Sequence, residues 1–309
     1  MPDQPVYQSP GISPAAPTIN GREITIDMLL KNPQYIESRV ANLALENFIA
    51  PYIFAQGPAL TTGVVKYDTV LKNDLYLTRG LRTIAEKAEY PIVDAAAPEP
   101  SVAIAGKFGG QYEISYEAQR RNAIDVMDRV QVKMANDQVQ KVDADAMDLF
   151  AADDNVPEFD AAGNGWGDAV NGNIFLDIAR ASSTIRNQRL GYRGNLVLIN
   201  PAENISIMSS EAIRAALPRE NPATNPVLSA QINGLFGLEW IESEHVPMGT
   251  AYLLQRGAIG TIADEVPWNV RVIDEPKRDV TIMLGGRTTV QFITDPLAAV
   301  RITGVGPTS

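Results

Sequence analysis

Between Gln111 and Val156 the chain has neither glycine nor proline, although it contains 23 of the first and 21 of the second overall. Glycine costs a helix interior roughly 1 kcal/mol and proline about 3 relative to alanine, so a run without either can stay helical throughout. Within it Ile124, Met127, Val130, Met134, Val142, Ala146 and Leu149 share one broad stripe at about 100° per residue, interrupted by Gln138. The spacing predicts one helix from about Asn122 to Ala152, roughly 45 Å long at ~1.5 Å per residue. A compact chain of this size has a radius of gyration near ~19 Å, so the helix must cross a domain as a spine. Acidic residues at 125, 128, 137, 143, 145, 148, 153 and 154 outnumber Arg129, Lys133 and Lys141, which predicts a solvated, negative face.

Around this helix the chain is globular in character, with 45% hydrophobic and 20% charged residues over 309 positions. At a loose ~150 residues per domain it makes about two domains, or one elaborate one. Prolines at 2, 5, 10, 14 and 17 forbid regular structure in the first segment and predict an extended, mobile tail over residues 1 to 20. Asn32 and Pro33 then offer a cap and first turn, and Ile36, Val40, Leu43, Ala44 and Phe48 give an amphipathic helix ending before Pro51.

Next the period becomes two. Val102, Ile104, Phe108, Tyr112 and Ile114 alternate with polar neighbours and predict a long strand burying its even side, with Val64 to Val70 as antiparallel partner. Between them, residues 71 to 101 hold nine charged residues, three prolines and few apolar ones, too little for a core. A two-stranded ribbon is marginal alone in water, so this projecting hairpin loop needs another surface to order it. Its mixed charges Arg79, Arg82, Glu86, Lys87 and Glu89 are the candidates for pairing with a neighbouring chain.

A loop rich in Gly and Asp, residues 153 to 172, marks a domain boundary. Ile174, Ile178, Ala181 and Ile185 space a helix, and Leu196 to Ile199 form a short buried strand before Asn200 and Pro201. Helices are expected near 202–209 and 211–217, then an irregular stretch at Pro218, Pro222 and Pro226. Short strands follow at 238–243, 251–255, 269–274, 280–284, 288–293 and 298–303, with Gly285-Gly286 as a hairpin turn.

The chemistry available is narrow. There is no cysteine, which removes disulfides, thiolate metal sites and cysteine nucleophiles, and one histidine, His245, excludes any mechanism needing two imidazoles. A net charge of −11 is the wrong sign for gripping phosphates. No apolar run approaches the ~18 residues of a membrane span, and Met1 to Pro5 lacks the blocks of a signal peptide, so a soluble, unexported chain without membrane contact is expected. No cofactor or metal is expected. Gly163 to Gly167 lacks the strand-to-helix setting of a nucleotide loop, and Asp153, Asp154, Asn155, Glu158 and Asp160 lack the ligand spacing of a calcium loop. Asp264-Glu265 and Asp274-Glu275 could serve paired-carboxylate hydrolysis only if folding joined them at a cleft; surface turns are the simpler reading. His245 reads as a loop residue with no nucleophile to serve.

The order of parts resembles the major capsid proteins of tailed double-stranded-DNA bacteriophages, the Hong Kong phage fold shared with encapsulins. Local matches are Phe108-Gly109-Gly110-Gln111-Tyr112-Glu113-Ile114-Ser115 leading into the spine, Leu196 to Pro201, Gly234 to Leu238, the Pro247 to Thr250 turn and Asp295 to Val300. The resemblance covers about Thr25 to Val305 and lies in order and spacing. It implies an α+β phage major capsid fold: an N-terminal arm at 1–60, an extended hairpin loop at 61–112, a peripheral domain with the spine helix at 113–165 and 276–309, and an axial domain at 166–275.

The function implied is structural, not enzymatic. Subunits would assemble as pentamers and hexamers into an icosahedral head around phage DNA, held without sequence-specific binding, in the virion and after assembly in the bacterial cytoplasm. A separate scaffolding protein (or prior processing of the chain), a portal and possible decoration proteins are the implied partners. In the founding member subunits are joined by lysine-to-asparagine bonds; Lys66, Lys72 and Lys87 correspond by region only. An encapsulin-like compartment and a carboxylate-dependent hydrolase are the alternatives.

Overall fold

The structure, a computed structural model, describes residues 18–19, 22–23, 30–45, 48–72, 74, 76–77, 79–94, 100–121, 124–163, 165–168, 172–209 and 235–306. The proline-rich tail before residue 18, the helix expected at 211–217 and the stretch 218–226 lie outside these.

Strand β1 (Thr18–Ile19) pairs antiparallel with β2 (Arg22–Glu23), so two residues at the end of the segment expected to lack regular structure form a paired strand. A helix follows at Pro33–Leu45, with Pro33 in its first turn and Ile36 and Val40 fully buried. Phe48 falls beyond it, and Pro51 opens a second short helix, Ala50–Ile53. Next come β3 (Ala55–Gln56), β4 (Val64–Asp68), β5 (Pro100–Ile104) and β6 (Gly106–Ser115). Ser115 accepts the Ala118 N–H and caps the helix Tyr116–Arg120. The spine helix runs unbroken over 29 residues, Ile124–Ala152.

After the spine come β7 (Glu158–Asp160), a helix at Ile174–Asn187, β8 (Leu196–Ile199) and a helix at Pro201–Ser209. The chain finishes with β9 (Glu239–Glu242), β10 (Thr250–Leu254), β11 (Gly260–Glu275), β12 (Val280–Ile293) and β13 (Ala299–Thr303). Two units emerge: residues 1–47, 107–140 and 266–288 form one, and 48–106, 141–265 and 289–309 the other.

The second unit is organised on a five-stranded sheet of order β7-β13-β10-β8-β9. Ala251 and Leu253 of β10 face a core holding Ile174, Ile178, Ala181 and Ile185 with Trp240, the spacing that predicted this helix. On the opposite face Tyr252 meets Phe150 of the spine at 5.7 Å, and Phe150 stacks on Phe54 at 5.6 Å. A sheet covered on both sides has no solvent face, which is why β8 reads Leu-Val-Leu-Ile without alternation. In the other sheet the order is β3-β11-β12-β6.

Three expectations fail for identifiable reasons. The buried face of the spine is Gln131, Ala135, Gln138, Val142, Ala146 and Phe150, one position round from Val130, Met134 and Leu149, which are only half-buried. Gln138 is therefore part of the stripe and not its interruption. Asp143, expected on the solvated face, is 2% exposed.

Gly285-Gly286 is no turn: β12 runs straight through it, and the chain reverses at 276–279, where Asp279 has φ of 50°. A Cβ on Gly285 would lie 2.5 Å from both Met134 Cε and the Trp268 ring, and one on Gly109 would lie 2.4 Å from the Gly285 carbonyl oxygen. These glycines serve close approach within a strand, not reversal. Finally, Asp264-Glu265 and Asp274-Glu275 both lie inside β11, not in surface turns.

Candidate functional site: the arm at residues 61 to 106

Strands β4 and β5 form an antiparallel ribbon in the register Val64↔Ile104, Val65↔Ala103, Lys66↔Val102 and Tyr67↔Ser101. Side chains alternate across such a ribbon, so its two faces have separate fates. Val65, Tyr67 and Ala103, with Ala105, pack on Ala263, Val290 and Phe292, the Tyr67 and Phe292 rings lying 4.6 Å apart. On the other face Val64, Val102 and Ile104 stay 46%, 60% and 75% exposed. The expected even-sided burial thus holds for Phe108, Tyr112 and Ile114 of β6 and fails in β5. Ala105 belongs to neither strand and bonds instead to the Gly63 carbonyl at 2.8 Å, so the two strands bury opposite parities.

Beyond the ribbon, the described residues between 69 and 94 have almost no regular structure. Among the described residues an isolated bridge, Arg79 to Asp94, spans the loop, and hydrogen bonds fix its near end: Val70 N–H to the Thr294 carbonyl at 2.8 Å, Leu71 N–H to the Asp74 carboxylate at 2.6 Å with Asp74 N–H returning to the Leu71 carbonyl at 3.2 Å, and the Tyr76 hydroxyl to the Arg189 carbonyl at 3.0 Å. Contrary to the sequence reading, the loop is not poor in apolar side chains. Leu81, Tyr90 and Ile92 are 86%, 84% and 81% exposed, and Leu77, Ile84 and Val93 are exposed beside them. Burying one such side chain is worth ~1.5–3 kcal/mol, so a loop presenting several carries an unspent attraction for another surface.

The five charged candidates, Arg79, Arg82, Glu86, Lys87 and Glu89, all lie on this loop and are exposed. None forms an ion pair among the described residues. Lys87 holds a left-handed backbone, φ 64°, which is uncommon outside glycine. Lys66, Lys72 and Lys87 are all exposed, Lys66 on the same open face of the ribbon as Val64.

Other sequence candidates are accounted for locally. Trp166, within the Gly163 to Gly167 stretch, is buried and donates its indole N–H to Asp177 at 3.0 Å, while Asp177 also accepts the Ala162 N–H at 3.1 Å. In the acidic loop, Glu158 pairs with Arg301 at 3.0 Å and Asp160 accepts the Thr303 hydroxyl at 2.6 Å. Among the described residues no group of acids and histidine is placed to hold a metal ion. Asp274 accepts the Tyr116 hydroxyl at 2.6 Å, which pushes that phenol up to about 12, and Arg278 grips Glu113 and Glu275 at 2.7 and 3.4 Å. His245 sits in the loop after β9, its N–H bonded to Ser243.

Sequence reasoning missed Asp143. Its carboxylate accepts the N–H of Ala50 at 2.8 Å and of Ile49 at 3.2 Å, tying the spine to the segment that leads into the arm. Burial raises its pKa, partly offset by those two backbone donors and by His245. The one available signal was its place beside Val142 and four residues before Met147.

A family model described as phage capsid protein matches residues 98–302, well over half of the chain. The chain belongs to the phage capsid protein family. No curated protein matches it. Solved structures share the fold of this capsid chain at low identity. A virus-like particle from Pyrococcus furiosus is 10% identical with a TM-score of 0.59, covering 87% of this chain and 98% of that one. A phage-related protein from Bordetella bronchiseptica RB50 is 10% identical at a TM-score of 0.61, covering 88% and 97%. The mature capsid of bacteriophage PhiM1 gives 10% and 0.60, covering 83% and 87%. The capsid chain is thus a mixed α+β protein with the phage capsid fold. No helix among its described residues is long and apolar enough to cross a membrane.

Proposed function

We propose that this capsid protein is a purely structural shell subunit, without catalytic activity, that assembles as pentamers and hexamers into the icosahedral head enclosing phage DNA. Assembly takes place in the host bacterial cytoplasm with a separate scaffolding protein, a portal and, on the finished shell, decoration proteins. Residues 113–165 and 276–309 act as the peripheral domain, 166–275 as the axial domain, 1–60 as the N-terminal arm and 61–112 as the extended loop. The single observation that carries this reading is the loop's exposed apolar set, Leu81, Tyr90 and Ile92 above all.

Each copy of the loop lies across a neighbouring subunit and buries these side chains there, and Arg79, Arg82, Glu86, Lys87 and Glu89 pair with that neighbour's charges. Mixed signs suit the task, because a single-sign cluster would repel its symmetry copies. Each contact is modest, and repetition around every ring makes the shell durable. The net charge of −11 suits a wall that encloses DNA with its own counterions instead of gripping it. Deleting residues 74–95 should leave a folded, soluble subunit that forms no shells under negative-stain electron microscopy. Closed particles of normal size from that variant would remove the loop from its role.

A further inference from the structure

The five-stranded sheet of the second unit carries opposite charge on its two sides. We propose that each copy docks the arginines at the end of its helix Ile174–Asn187 on the acidic side of a second copy, where the spine ends and β7 follows. This rests on the assembly reading and adds to it a surface separate from the arm.

The division follows from the alternation of side chains along a strand. In β13, Val300 and Ile302 join the core under the helix Ile174–Asn187, so Arg301 and Thr303 turn to the side of the spine, where Arg301 donates to the Phe150 carbonyl. Strand β7, parallel to β13, obeys the same parity. Phe159 packs on that core, while Glu158 and Asp160 meet Arg301 and Thr303 on the spine side.

From 141 to 160 the chain carries seven acidic residues, of which only Asp143 is buried, and one basic residue, Lys141. Lys141 is paired with Asp145 at 2.7 Å and Arg301 with Glu158 at 3.0 Å, whereas Asp148, Asp154 and Asp160 stay exposed. From 174 to 193 there are four arginines and one acid, Asp177, which is fully buried and accepts from Ala162 and Trp166. Arg186, Arg189 and Arg193 are exposed and form no ion pair among the described residues. A helix C-terminus favours a cation, but its dipole amounts to about half an elementary charge and does not call for three.

Helices about 10–12 Å across flank the sheet, so the two charged sides lie farther apart than the ~8 Å Debye length at physiological salt and do not neutralise one another within a copy. Copies of a chain with net charge −11 repel each other, and setting basic side against acidic side turns that repulsion into attraction at the contact. Nucleic acid would match the arginines alone, whereas a second copy matches both sides. Because the two surfaces differ, the contact is head-to-tail: each copy keeps one side of either sign for the next, and the series closes into a ring where the rotation allows it.

The test exchanges the signs in the full-length chain. Arg186→Glu/Arg189→Glu/Arg193→Glu and Asp148→Lys/Asp154→Lys should each keep the wild-type circular dichroism spectrum, since all five side chains are exposed. Each should cut the yield of shells, read by sedimentation velocity and negative-stain electron microscopy, about tenfold or more. A chain carrying both sets again opposes unlike signs and should recover most of the wild-type yield. The neutral triple variant Arg186→Gln/Arg189→Gln/Arg193→Gln should lose shells as well, and it carries the test if the Glu variant does not fold. Wild-type yield from the reversed variants, or no recovery in the combined one, overturns the proposal and leaves the arm its role. A wild-type chain that forms neither rings nor shells overturns the assembly reading together with it. A fluorescein-labelled DNA duplex whose anisotropy shows binding to wild type and none to the arginine variant would overturn the second copy as occupant and give this side to nucleic acid.

Discussion

Replacing Arg301 with alanine tests how the spine helix is brought to an end. The last carbonyls of any helix lack intrahelical donors and carry the negative end of its dipole. Here a single guanidinium nitrogen, Nη2 of Arg301, donates to the carbonyls of Phe150 at 2.6 Å, Ala151 at 3.2 Å and Asp153 at 3.3 Å. The other, Nη1, meets Glu158 at 3.0 Å; the arginine side chain is only 15% exposed, so solvent screens little of the carbonyl contacts, while Glu158, 58% exposed, adds only a screened ion pair. A charge-assisted hydrogen bond is worth ~1.5–3 kcal/mol, and one nitrogen shared among three carbonyls counts for less than three bonds. With at most ~1 kcal/mol for the half-exposed Glu158 pair, and with the arginine head itself buried, R301A should cost about 3–4 kcal/mol. At ~2 °C per kcal/mol for a chain this large, the melting midpoint should fall by about 6–8 °C. Arg301→Lys keeps the charge and loses the fork, and should recover about half of that. Thermal melts by circular dichroism give the global figure, and hydrogen exchange at residues 152 to 156 gives the local one. A melting point within about 2 °C of wild type, with unchanged exchange at the helix end, would refute the reasoning.

Asp143→Asn should change the pH profile of stability. Because burial raises the native pKa of Asp143, its ionised form carries a penalty that is absent below the ordinary carboxylate value near ~4, grows as pH rises toward the raised value, and is constant above it. Urea titrations should therefore show the Asn variant gaining on wild type as pH rises from about 4; a difference that is flat with pH contradicts this. Gly285→Ala should destabilise by about 1–3 kcal/mol, since its methyl would press on Met134 and Trp268, and a neutral result in denaturant unfolding would place those side chains elsewhere. Val142→Ala, at a fully buried position, should cost about 1–3 kcal/mol, and Val130→Ala, half-buried, clearly less; equal costs would undo the orientation of the spine. Tyr116 should ionise well above an ordinary tyrosine, near 12, in an ultraviolet pH titration, and Asp274→Asn should lower that value.

The spine was legible because the absence of glycine and proline over so long a run leaves few alternatives to helix. Its orientation was not, because the buried face carries Gln131 and Gln138, and polar residues in a stripe read as breaks in it. Among the described residues both keep polar atoms without protein partners, so nothing in their chemistry announces burial. The helix at Ile174–Asn187 and strand β8 were readable from period and from continuous apolarity. By contrast, Gly285-Gly286 misled because glycine serves two purposes, left-handed turns and close packing, and the sequence does not say which. On the arm, strand pairing was plain from alternation and the loop from its prolines. Which face of β5 was buried depended on Ala263, Val290 and Phe292, distant in sequence, and lay beyond any local pattern. The loop's exposed Leu81, Tyr90 and Ile92 were visible as letters, but their lack of an internal partner became visible only in three dimensions.

The place of β13 in its sheet bears on how such a subunit is made. In chain order it is the final strand described, yet in space it lies between β7 and β10, antiparallel to the second and parallel to the first. Its residues Val300 and Ile302 supply part of the core shared with Trp166 and the helix at Ile174–Asn187. A nascent chain on the ribosome therefore holds an open seam between β7 and β10 until residue 303 has been made and released from the exit tunnel. A chain that stops short of residue 299 lacks the strand that closes the seam and leaves the core around Trp166 without Val300 and Ile302, so the fold itself withholds a finished sheet from incomplete products.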